Sequence, residues 1–165
     1  MITEVRGVLL RDLKALRRAL EVYDKEGDIW KTPPGIANSG GNIALHVVGN
    51  IRAFVGAQLG GIAYTRDRDA EFGRHDVPRA ELLELVDEAI TAVKDGLPKV
   101  RESDLSQPYA TPAGVTVDKS DWLLHLVSHL AYHLGQLDYH RRLVTGNGAT
   151  IGAVSSAELS TARKG

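Results

Sequence analysis

The strongest constraint on this fold is a set of apolar residues recurring at threes and fours, the period of an α-helix. Ile2, Val5, Leu9, Leu13, Leu16, Leu20 and Tyr23 mark the first such segment, over about residues 2–26. Ile43, Val47, Ile51 and Phe54 mark a second, from Ser39 as N-cap to Leu59, where a Gly-Gly pair ends it. Leu82, Leu85, Val86, Ala89, Ile90, Val93 and Leu97 mark a third, from Asp76–Pro78 to about Val100, with Pro98 fraying its end. The fourth runs from Val117–Ser120 to Val144, on a core stripe of Leu123, Val127, Leu130, Leu134 and Leu137. The expected class is therefore all-α. Residues 113–117 are the one stretch that could extend briefly. Connections of about 12, 17 and 16 residues are longer than tight antiparallel hairpins use. They permit crossovers and supply lids, and they disfavour simple up-down-up-down topology. The expected domain is 1–146, followed by a small, polar tail at 147–165, loose or docked on a partner and partly helical.

The fourth segment carries a second stripe, about 120° from the first on a helical wheel. It consists of His125, His129, His133, Gln136 and His140. A solvated face normally carries Lys, Arg, Glu or Asp, and a quarter of the chain is charged. This stripe has none, which suits a cleft better than open water. Imidazoles four apart stand one turn apart on one face and can converge on an ion. A set of hydrogen-bonded, partly buried histidines would read the same way. A metal needs a third donor, and His46, among apolar residues of the second segment, is the attractive one. His75 lies in a loop and reads as solvent-exposed; His140 reads as sitting at the carboxyl end of its helix.

Composition removes several classes. With no cysteine, the chain has no thiol nucleophile, thiolate ligand or disulfide. A net charge of −1 gives no electrostatic case for nucleic acid or an anionic membrane. No apolar run is long enough to span a bilayer, and the N-terminus lacks the h-region of a signal peptide, which fits a cytoplasmic protein.

The stretches "NSGGNIALHVVGNIRAFV", "YTRDRDAEF" and "HLVSHLAYHLGQL" resemble the DinB-like superfamily of bacterial four-helix bundles, over residues 1 to about 145. The resemblance implies an up-up-down-down bundle with long crossovers, frequent homodimers, and a divalent metal (zinc, nickel or iron) held by one histidine of the second helix and two of the fourth. Carried over, these are His46, His129 and His133. His125 matches a position often histidine but not a usual ligand. Relatives include thiol-dependent S-transferases and a maleylpyruvate isomerase, working with bacillithiol, mycothiol or glutathione.

Three neutral imidazoles leave a divalent metal with open positions, the mark of a reactive rather than a closed structural site. The leading expectation is metal-dependent transfer of a low-molecular-weight thiol to a small electrophile. The alternatives are a metal-dependent hydrolase, against which stands the lack of a Glu beside the histidine pairs, and a non-catalytic metal- or ligand-binding stress protein. Gln136 and Asn50, each one turn from a candidate ligand, are expected to orient it or to face the pocket, with His125 lining it. Arg66 or Arg68 is expected to reach over the metal and grip a substrate carboxylate. "SGG" at 39–41 hints at an anion seat, and the basic residues of the first helix, Arg11 among them, read as a solvated face.

Overall fold

The computed structural model describes residues 1–163, so the last two residues of the expected tail lie outside it. Helix α1, Ile2–Glu21, buries Leu9, Leu13, Leu16 and Leu20. It ends earlier than its periodicity predicts: Tyr23 packs inward from beyond the helix, and a separate 3-10 turn covers Glu26–Trp30. Helix α2, Gly40–Ile51, opens on Ser39, whose hydroxyl accepts the Asn42 amide at 3.1 Å. Every residue of α2 is buried. A short helix α3, Arg68–Gly73, is capped by Asp67, which accepts from the Ala70 amide. Helix α4 spans Arg79–Gly96 and helix α5 Lys119–Thr145, the latter closed by Gly146 in the left-handed conformation.

Helices α4 and α5 each pack against both α1 and α2. The shared core holds the leucines of α1, Leu82, Val86 and Val93 of α4, and Leu123, Leu126, Leu130, Leu134 and Leu137 of α5. Among the described residues, no helix is long and apolar enough to cross a membrane.

Two features differ from a plain set of helices. The first is a short antiparallel hairpin, β1 Pro108–Ala110 and β2 Thr116–Asp118, with Tyr109 opposite Val117. The sequence reading has extension only around 113–117. The partner strand begins at a proline and is too short to show a period of two. The second is that α2 runs on as a π-helix over Arg52–Leu59. Such wide turns are uncommon and often lie beside functional sites. Small residues let this one settle on α4: a Cβ at Gly60 would collide with Gly96, and a Cβ at Gly96 would lie 2.7 Å from the Val55 carbonyl. The wider turn aims Phe54 at the edge of Trp122, with ring centres 5.2 Å apart, and lets Gln58 accept from the Tyr109 hydroxyl. Tyr109 in turn stacks on Trp122 at 5.1 Å.

Several polar residues hold the frame, against expectation. Arg11 is buried and paired with Asp12. Arg141, fully buried, binds Asp138 and donates to the carbonyls of Asn147 and Ala149. Arg18 donates to the carbonyl of Ile151, itself buried. The segment after α5 is thus tied back onto the helices, with one 3-10 turn at Ser156–Glu158. His140 is not at an open helix end. It is buried, takes a hydrogen bond from the Tyr23 hydroxyl at 2.7 Å, and donates to the Lys31 carbonyl at 2.7 Å. The glycines of "SGG" serve this packing rather than an anion. A side chain at Gly40 would strike Tyr23, and one at Gly41 would strike Trp30.

Candidate metal centre

Helices α2 and α5 bring three histidines together. The ring nitrogens of His46, His129 and His133 lie within 4.8 Å of one another, and this trio could hold a metal ion. His46 is buried, while His129 and His133 are half-buried on the face turned to α2. Their rings stand edge to face, 4.5–5.2 Å between centres.

Hydrogen bonds set the tautomers. His46 Nδ1 lies 2.9 Å from Glu71 Oε2. A carboxylate only accepts, so Nδ1 carries the proton and the Nε2 lone pair is free. His133 Nδ1 lies 2.7 Å from Gln136 Oε1, with the same consequence. Nε2 of His46 then faces Nε2 of His129 at 3.3 Å. Donors of a tetrahedral ion with bonds of about 2.0–2.1 Å sit about 3.3 Å apart. The His46–His129 pair already stands at that separation, and the three imidazoles together are a donor set that could hold a divalent ion.

Glu71 is the residue that the sequence reading missed, although it stands within the quoted "RDRDAEF". It is buried, on α3, over the middle of α2. Gly49 makes the room, since any side chain there would collide with the Glu71 carboxylate. Burial alone would raise the Glu71 carboxyl, but hydrogen bonds from Arg66 and His46 outweigh it and hold the group below its usual range. Arg66 clamps the carboxylate with both nitrogens, at 2.6 and 2.8 Å. It is thus committed to Glu71 rather than reaching for a substrate. The resulting chain, arginine to carboxylate to imidazole, fixes the orientation of the His46 ring, as such chains do for metal-binding histidines.

The remaining predicted residues line a neighbouring cleft of about 550 Å³, open beside His46. Its floor is Phe54 and Trp122, and the hairpin loop at Thr111–Val117 forms one wall. His125 is exposed and stacks on Trp122 at 4.9 Å, one turn before His129. Arg68 is exposed at the cleft, beside the Phe72 ring. Asn50 is buried one turn beyond His46, and its Oδ1 has no hydrogen-bond partner among the described residues. A larger groove, along the π-helix and α4, is acidic and lacks histidine, so it adds no donor to this site. His75 is exposed and packs its ring edge near Trp30 instead.

Burial, with His133, His46, His125 and Arg66 nearby, pushes His129 down to about 4. Burial also lowers His133, with His46 adding and the Gln136 bond opposing. His140 is lowered by burial against the pull of its Lys31 bond. His129 and His133 are therefore neutral at pH 7, as ligation would require, and so is His140, which lies outside the trio. A depressed histidine favours the unprotonated fold, so unfolded chains bind more protons below about pH 6.5. Stability of the metal-free chain should fall as pH drops from about 7 towards about 4. Urea unfolding at stepped pH checks this, and a flat midpoint across that window would contradict it.

These features define a mainly helical protein with a carboxylate-backed trio of histidines. A family model described as the DinB superfamily matches residues 9–137, and the chain belongs to that superfamily. No curated protein and no solved structure matches it.

Proposed function

We propose that the four long helices form an up-up-down-down bundle whose His46, His129 and His133 ligate a divalent ion, and that the site transfers a low-molecular-weight thiol to a small electrophile. The ion is zinc, nickel or iron, and the setting is cytoplasmic. The observation that carries the reading is the His trio, with His46 oriented by Glu71 and His133 by Gln136, opening on a cleft floored by Trp122 and Phe54. A bound divalent ion would supply Lewis acidity that lowers the pKa of a coordinated thiol or water.

The chain's own residues do the rest. Glu71 and Gln136 hold two rings with Nε2 forward. Phe54, Trp122 and Val117 keep the cleft apolar, which favours a desolvated sulfur. Arg68 offers its guanidinium to an anionic group on the electrophile, a role left to it once Arg66 is taken up by Glu71. With no cysteine in the chain, the sulfur comes from a small thiol. Its proton leaves to solvent, a carbon–sulfur bond forms, and the leaving group departs with its bonding pair. The hydrolase reading gains little, because Glu71, the carboxylate closest to the trio, is locked in its own ion pair.

The test is conjugation of bacillithiol, mycothiol or glutathione to a chromogenic electrophile by protein loaded with each metal. His129→Ala and His133→Ala should lose both metal and turnover. Undiminished turnover by metal-free wild type would overturn the reading.

A further inference from the structure

The cleft beside the trio contains polar groups that the chain leaves without partners, and their order along the helices describes a ligand. Two of its walls are successive turns of α2 and α5. His46 stands against His129, with ring centres 5.2 Å apart, and Phe54 stands against Trp122, also at 5.2 Å. About two turns forward from His46 are therefore matched by about two turns back from His129. Asn50 occupies the middle level on α2, one turn or about 6 Å from His46. Asp121 lies one turn beyond His125 on α5, at the outer end of the cleft. It is eight residues from His129, about 12 Å along the helix.

No contact among the described residues requires Asn50 to be polar. It is 6% exposed, and its Oδ1 is buried without a hydrogen-bond partner among them. Leucine would fill nearly the same space and strand no acceptor. The terminal amide turns about its last bond, a broad two-fold torsion, so a donor in the cleft can draw Oδ1 round to face it. Asp121 is exposed and joins no ion pair among the described residues. Lys119, two residues before it, donates to Gln107 instead. Outward from the trio the cleft thus offers an acceptor, then a carboxylate, over an apolar floor. Both groups call for a donor, and the outer one for a cation. Resting on the thiol-transfer reading above, we infer that the thiol is peptide-like and carries a free ammonium. Its sulfur lies at the trio, the amide N–H next to that sulfur donates to Asn50 Oδ1, and the ammonium further along pairs with Asp121. An extended chain advances about 3.3–3.6 Å per residue, so a thiol of a single amino acid reaches Asn50 but not Asp121. Arg68 stays free for the electrophile.

The test titrates the full, zinc-loaded chain by calorimetry with glutathione, which has both groups, and with N-acetylglutathione, which lacks the ammonium. Wild type should bind glutathione about fivefold more tightly than the acetylated form. Asp121→Asn, at an exposed position, should erase that difference. Asn50→Leu should weaken both thiols about tenfold. Zinc affinity, titrated separately, should be unchanged in both variants, because neither residue belongs to the trio. Equal binding of the two thiols by wild type, a preference that survives Asp121→Asn, or an Asn50→Leu chain that loses zinc rather than thiol would each overturn the inference and leave the thiol-transfer reading standing. A wild type that binds none of glutathione, bacillithiol and mycothiol would overturn both.

Discussion

Replacing Glu71 by alanine will lower metal affinity about 10- to 100-fold and destabilise the metal-free chain by about 2–3 kcal/mol. The first effect follows from His46. Without its carboxylate acceptor the ring loses its fixed tautomer, and Nε2 is aimed at the other two histidines only part of the time. The second follows from Arg66, whose side chain is only 17% exposed and would lose both bonds to its one charged partner, Glu71. Breaking a buried pair on one side costs more than the pair is worth, because it strands a charge. The upper end of that cost is not expected, since Arg66 keeps some access to water. Glu71→Gln should restore part of the packing but little of the affinity, for an amide holds neither the arginine nor the imidazole as a carboxylate does. Gly49→Ala should mimic Glu71→Ala in affinity, because its methyl group displaces the same carboxylate. Zinc titration by calorimetry and urea unfolding would measure both. Unchanged affinity in Glu71→Ala would remove the carboxylate from the site.

Why the sequence showed the histidines and not the glutamate is a matter of range. His129, His133 and Gln136 repeat on one face of one helix, and that repeat is local. The periods of α1, α2, α4 and α5 are equally local, and their leucines are found in the core. Glu71 reaches His46 from 25 residues away, across a loop and a six-residue helix too short to show a period. In sequence it is one of several alternating charges, and its neighbours Asp67 and Asp69 are exposed. The informative signal was Gly49, a glycine inside an otherwise bulky helix, which asks what occupies the space above it. His140 failed for a similar reason. Its partners, Tyr23 and the Lys31 carbonyl, come from before α2, and position near a helix end says nothing about them. The π-helix was illegible because Arg52–Leu59 has ordinary helical composition. What widens it is contact with α4 through Gly60 and Gly96, residues remote in sequence.

Removing a ligand should separate the metal's contribution from that of the apolar core. Excess zinc at about a hundred times its dissociation constant should stabilise the wild-type chain by about 2.7 kcal/mol, because the unfolded chain does not present the three rings together. In His129→Ala this gain should vanish, since the remaining pair holds the ion too weakly to be saturated. The metal-free variant should respond more weakly to acidification. Wild-type His129 resists protonation in the fold and accepts it when unfolded, so it weakens the fold below about pH 6.5. Alanine has no such difference, and the variant should lose less stability than wild type between about pH 7 and about pH 5. Its core should be kept, because Leu126, Leu130 and Leu134 are buried in their own right beside the histidine stripe and none of them is altered. One substitution is thus expected to abolish metal-linked stabilisation while flattening the acid dependence. A fault in folding alone would do neither. Thermal unfolding with and without zinc at the two pH values distinguishes them, and equal zinc stabilisation in wild type and variant would exclude His129 as a ligand.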